Sequence, residues 1–218
     1  MIPKTLALFA ILAISLPATG CRFVTDEELA RMAAQSGNNF NAETYVGKLW
    51  DSKVIPTLES EAVDAHTLIA AIAEDPDAAG KTYGHRAGEG NPWSYEIKGG
   101  GKVVSVDTSS RRGLMKVELA GSGAAQTVTI QIGPVVFGTA LRDSLPFINF
   151  GDFVNQLQFA QVSRALNDRA VKNVAASFDA KNEIGKTVTF VGATTVNSAS
   201  APLTVTPVVI TPGQRGSS

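Results

Sequence analysis

Cysteine is almost missing from this chain: among 218 residues only Cys21 carries a thiol. That excludes an internal disulfide, a dithiol redox pair and a cysteine-rich metal cluster. Histidine is nearly as scarce, and His66 and His85 cannot assemble a histidine-rich metal centre. Charge of one sign is lacking too, with 19 Lys and Arg against 20 Asp and Glu and a formal net charge of −1. No basic cluster stands ready to neutralise phosphates, which excludes nucleic acid as a partner. There is no long hydrophobic run. The apolar stretch from Thr5 to Leu16 has twelve residues, whereas a membrane-crossing helix needs about 20. Also absent are a His-Glu-x-x-His zinc motif, a Gly-x-Ser-x-Gly elbow and a phosphate loop ending in Gly-Lys-Ser or Gly-Lys-Thr.

What is present begins at the amino terminus. Lys4 precedes the apolar stretch, Pro17 ends it, and Ala18-Thr19-Gly20 places small side chains directly before Cys21. This is the layout of a lipoprotein signal: small residues fit the peptidase beside the scissile bond, and the cysteine thiol is acylated. Residues 1–20 are therefore expected to be a cleaved signal peptide and Cys21 the lipidation site, leaving 198 residues in the mature chain. An ordinary secretory signal is the rival reading, and Ala18 stands where Leu is more usual. Acylation explains why an exported chain carries one unpaired cysteine. The expected location is the periplasmic face of a bacterial membrane. Arg22 after the lipidated residue points to the outer membrane.

The stretch from 21 to 84 reads as a tether and a small helical subdomain. Thr25-Asp26-Glu27-Glu28 forms a capping box before Leu29, Met32 and Ala33, with Gly37 as the stop. A second helix starts at Asn41, where Phe40 and Tyr45 have the spacing of a hydrophobic staple, and continues through Val46, Leu49 and Trp50 until Pro56 interrupts. A third runs from Asp64 to Glu74 with Leu68, Ile69 and Ile72 inward.

From Pro92 the period changes from 3.6 to 2. Strands are expected over Trp93 to Thr108, with a bend at Gly99-Gly100-Gly101, then over Leu114 to Leu119 and Thr127 to Ile132. A helix follows from Asp152 to Ser177, and strands return over Lys186 to Thr194 and Leu203 to Ile210. This order predicts an α+β chain: an OB-like five-stranded β-barrel over residues 85–210, with a helix between strands three and four, beside the N-terminal helical subdomain. A five-stranded sandwich with an inserted helix would give the same string. Residues 211–218 read as a flexible tail.

Three segments in this order carry a family likeness: Tyr83 to Ser94, Gln131 to Pro134 with Gly138 to Phe147 around Arg142-Asp143, and Asp152 to Gln156 through Phe159 to Val162. Together with the signal ending in Cys21, they resemble the DUF2291 family of predicted periplasmic lipoproteins. The resemblance spans nearly all of the mature chain. It implies an OB-type barrel joined to a small helical domain, and an accessory role beside sugar ABC importers. It implies no catalytic residue.

The candidate ligand contacts are His85, Arg86, Glu89, Asn91 and Trp93 in one irregular loop, and Arg142 and Asp143 in a second. An aromatic ring beside planar polar groups suits a sugar, because the ring stacks on C–H groups while the polar groups hold hydroxyls. The structural alternative is a domain-joining loop in which Trp93 caps the barrel core, and an ion pair or helix cap at Arg142-Asp143. Asn155, Gln156, Gln158 and Gln161 add amides that can bridge hydroxyls or simply form a solvated helix face. His66 reads as a surface residue. Neither a cofactor nor a metal is expected, and the chain reads as a non-catalytic binding module. Two other classes remain open: a scaffold holding a transporter component near the membrane, and a hydrolase built on His85 with Glu89 and Asp143.

Overall fold

The structure is a computed structural model and describes residues 25, 40–121, 125–176, 178–196, 198 and 202–213. The signal peptide, Cys21, the first helix beyond Thr25, Ser122 and Gly123, and residues 214–218 lie outside the described residues. From Phe40 onward the described residues belong to one compact unit.

Helix α1 (Ala42–Leu49) starts as its sequence dictates. The Asn41 side chain accepts a hydrogen bond from the Thr44 amide at 2.8 Å, and the Phe40 ring lies 5.8 Å from that of Tyr45. Pro56 does not stop the chain as expected. A π-helical turn, Trp50–Val54, widens the backbone, the Ile55 amide reaches Trp50 O, and α2 (Ile55–Glu61) carries Pro56 in its first turn. Pro56 has no N–H to donate, and the widened π-turn before it is where the continuous helix accommodates the missing bond. After the two-residue strand β1 (Val63–Asp64), α3 (Ala65–Glu74) is capped by Asp64, which accepts from the His66 and Thr67 amides. Asp75 then caps a further helix, α4 (Pro76–Tyr83), which the sequence reading did not anticipate.

The sheet comprises β1 and five longer strands: β2 (Trp93–Asp107), β3 (Leu114–Leu119), β4 (Thr127–Gln131), β5 (Thr187–Val196) and β6 (Thr204–Pro212). Its order is β1-β2-β3-β4-β6-β5, and β2 also pairs with β5, so the five longer strands form a ring. The fold is thus an OB-type barrel, with a sixth short strand where five were expected. The parallel seam between β4 and β6 is brief, consisting of Thr129 opposite Thr204 and Ile130 opposite Val205.

One long strand serves both sides of the ring. Trp93 to Lys102 pairs with β5, and Gly101 to Asp107 pairs with β3. The exchange falls on the glycine run: a Cβ at Gly101 would lie 2.0 Å from Glu118 O, so only glycine permits the approach. The expected bend is here, within one continuous strand, and the bulge lies further on, between Val103 and Ser105. β6 also runs further than expected, with Thr211 and Pro212 paired to Thr189 and Val188.

Alternation along the strands separates two cores. Tyr95, Ile97, Val103, Met115, Val117, Val128, Ile130, Val188, Phe190 and Val205 fill the barrel, joined by Ala65, Leu68 and Ile72 of α3 and Ala79 of α4. The second core lies outside the barrel. There Val46, Trp50, Val54 and Leu58 meet Leu141 of α5 (Ala140–Ser144), Val162 and Leu166 of α6 (Gln156–Ala175), and Ala193 and Val208 of the sheet. The N-terminal helices thus contribute to both cores. His66 is half-buried, with Nδ1 2.7 Å from Gln126 Oε1 and Nε2 3.0 Å from Ala120 O, and so clamps the β3–β4 connection to α3.

Candidate functional site

The loop before β2 is closed by a two-way backbone bridge. His85 N donates to Ser94 O and Ser94 N to His85 O, both at 2.8 Å. His85 also donates from Nδ1 to the main-chain carbonyl of Asp143 at 2.8 Å. This bond joins the two regions named by the sequence. Between them opens a cavity of about 600 Å³, lined by Ala87, Asn91 and Pro92 of the loop, Thr139, Arg142 and Asp143 near α5, Phe150, Gln156, Phe159 and Ala160 at the start of α6, and Thr195 of β5. Ligand clefts commonly span roughly 300–1,000 Å³.

Arg142 is held flat. Its Nε donates to Asp143 Oδ1 at 2.7 Å, Nη2 lies 2.7 Å from the same oxygen, and the guanidinium sits 3.7 Å from the Phe159 ring centroid. Thr139 Oγ1 donates to the other carboxylate oxygen, Asp143 Oδ2. Both side chains are largely buried, at 11% and 16% exposure. A buried pair with this many partners is preorganised: it can meet a ligand hydroxyl without first being ordered. Thr195, which lines the cavity, has its Oγ1 2.8 Å from Ser94 Oγ.

Of the seven sequence candidates, Asn91, Arg142 and Asp143 line the cavity and His85 ties its walls together. Arg86, Glu89 and Trp93 are not in the lining. Trp93 packs on α4 instead: a Cβ at Gly80 would fall 2.3 Å from the indole nitrogen, and the Arg86 guanidinium lies 4.4 Å from the ring. The indole is therefore committed to packing, and Glu89 is exposed on the loop. Among the helix amides, Gln156 lines the cavity, whereas Asn155 caps α6 and Gln158 accepts from the Val154 amide. Thr139, Phe150, Phe159, Ala160 and Thr195 were not anticipated as lining, and Thr195 comes beside the loop only through the pairing of β5 with β2.

A groove of about 350 Å³ continues from the cavity through the shared Thr139, Arg142 and Ala160 to Ser163, Arg164, Asn167 and Asp168. Its far wall is fixed by Asn167 Nδ2 donating to Gly138 O at 3.0 Å. A separate cavity of about 330 Å³ lies near the end of α6 and is mainly apolar, with Val136, Val171, Val174 and Phe178. Its buried amide, Gln131, is engaged by Phe137 and Thr206.

On the same outer face of β2 as Ser94, but outside the cavity lining, Glu96 is 6% exposed. Burial pushes its pKa up to about 7, and the neighbouring Glu61 carboxylate adds to the rise against an opposing backbone hydrogen bond. Among the described residues no group of three or more His, Cys, Asp or Glu is placed to hold a metal. Nor is any described helix long and apolar enough to cross a membrane.

The barrel and its capping helices define an OB-type fold, and the amino-terminal sequence is that of a lipoprotein signal. The chain belongs to the DUF2291 family, described as predicted periplasmic lipoproteins, whose family model matches residues 11–211. Among solved structures it is similar to an OB-fold protein from Thermotoga maritima. The two share 17% sequence identity and a TM-score of 0.64, over 81% of this chain and all of that one. That likeness bears on the fold alone. A comparison with curated proteins finds no match.

Proposed function

We propose that this protein is a lipid-anchored, non-catalytic accessory of carbohydrate uptake through an ABC importer, and that the cavity between the Gly84–Trp93 loop and α5 binds a sugar. One observation carries the reading: a fixed Arg142–Asp143 pair and the Asn91 and Gln156 amides line one cleft of about 600 Å³. The Asn91 and Gln156 amides offer donors and acceptors, the Arg142–Asp143 pair offers both signs of charge, and Phe150 offers a ring edge or face for sugar C–H groups. The link to an importer comes from the family resemblance. Arg22 beside Cys21 favours the outer membrane for the anchor.

The same geometry disfavours a hydrolase. His85 Nδ1 is engaged by a main-chain carbonyl, the Asp143 carboxylate by Arg142 and Thr139, and Glu89 stands outside the lining. A thermal-shift panel of pentoses and hexoses tests the proposal. We expect stabilisation by at least one sugar in the native protein and its loss in Asn91→Ala and Arg142→Ala. No response to any sugar, together with crosslinking to a transporter component, would replace the sugar site with a scaffold.

A further inference from the structure

The segment that leads into α6 exposes apolar side chains that a water-facing surface has no use for. Val154 is 71% exposed, Phe150 48% and Leu157 46%, all within eight residues. The segment is held in place, not loose: Val154 N donates to Gln158 Oε1 at 3.1 Å, and Gln158 N donates to Asn155 Oδ1 at 2.9 Å. Phe153, between the exposed residues, turns inward and meets Phe40 edge-on, with ring centroids 5.6 Å apart. Phe40 is where the described body begins, 19 residues after the lipidated Cys21. The polypeptide that leads to the anchor therefore enters the body beside this patch. Nineteen residues reach at most roughly 65 Å when extended, so the body can lie on the bilayer that holds the anchor.

We infer that Val154 and Leu157 form a membrane-docking edge, which inserts at the boundary between headgroups and acyl chains and fixes the orientation of the body on the bilayer. An anchor in the bilayer makes this second contact intramolecular, so a small apolar patch is sufficient. Phe150, four residues before Val154, lines the cavity, so a docked body holds the cavity mouth near the lipid surface. The inference rests on the lipid anchor and not on the sugar reading.

Cys21 is the only cysteine, and acylation occupies its sulfur. An added cysteine can therefore be labelled alone. The acylated full-length mature protein, as Val154→Cys and separately as Leu157→Cys, is labelled with an environment-sensitive fluorophore. It is then reconstituted at low density into phosphatidylethanolamine–phosphatidylglycerol vesicles, with Lys116→Cys on β3 as the reference. Both patch positions should show blue-shifted emission and a several-fold loss of iodide quenching relative to position 116, unchanged on further dilution of protein in lipid. Quenching equal to that at position 116 overturns the inference. So does shielding that fades on dilution, which marks a second copy of the chain. Shielding seen only in native envelopes, and not in pure vesicles, marks a protein partner and also overturns it. Sugar-induced thermal stabilisation is read separately, so either proposal can fail without the other.

Discussion

His85 and Asp143 are joined across 58 positions of sequence by a single hydrogen bond, from the imidazole Nδ1 to a main-chain carbonyl at 2.8 Å. It is the direct tie between the loop that opens β2 and the turn that opens the path to α6. His85→Ala is expected to cost about 1 kcal/mol and to abolish any ligand response of the cavity. His85→Asn, whose Nδ2 can take the place of Nδ1, should restore most of both. Thermal denaturation of the three proteins, each with and without ligand, checks this.

Glu96 predicts an unusual pH dependence. Its folded-state pKa, about 7, lies above the ordinary value of 4.5, so the folded state favours the protonated carboxyl. That contribution is complete below about 4.5 and is lost as pH rises through about 7. Glu96→Gln removes the titration. Relative to the native protein the variant should gain stability across this window, reaching on the order of 3 kcal/mol at pH 8, with little change in the difference above that. Urea unfolding at pH 4, 6 and 8 measures it.

Gly80 tests the packing of Trp93. Alanine in place of glycine within a helix ordinarily stabilises by about 1 kcal/mol. Here the new methyl would meet the indole ring at 2.3 Å. Gly80→Ala should therefore lower stability by about 1–3 kcal/mol and shift the tryptophan emission, as calorimetry and fluorescence can show.

Asp143→Ala strips the carboxylate from a guanidinium that is largely buried against Phe159. The expected loss is about 2 kcal/mol. Asp143→Asn keeps an acceptor for Arg142 and should lose less. Chemical denaturation of both variants orders them.

Local chemistry was legible in the sequence wherever one turn of chain decides it. Asn41 caps α1, Asp64 caps α3, and the Phe40–Tyr45 staple all follow from spacing, and so does the strand–strand–strand–helix–strand–strand order that becomes the barrel. Features set by distant neighbours were not legible. Pro56 reads as a break, but the π-turn before it supplies a wider backbone. Glu96 alternates with Tyr95 and Ile97 as a solvent-facing residue would, yet α2 and α5 pack on its strand and raise its pKa. Trp93 reads as a ligand platform until Gly80 and Arg86 are seen against it. The lining of the cavity depends on α6 and β5 arriving from 64 to 108 positions away.

The central claim is a sugar site between the loop and α5, and NMR mapping on the labelled mature protein tests it most directly. With a saturating stabilising sugar, the side-chain signals of Asn91, Gln156 and Arg142 should move together while those of Glu89 and Trp93 stay in place. Shifts confined to the Arg86–Trp93 side, or no shifts with any pentose or hexose, would contradict it.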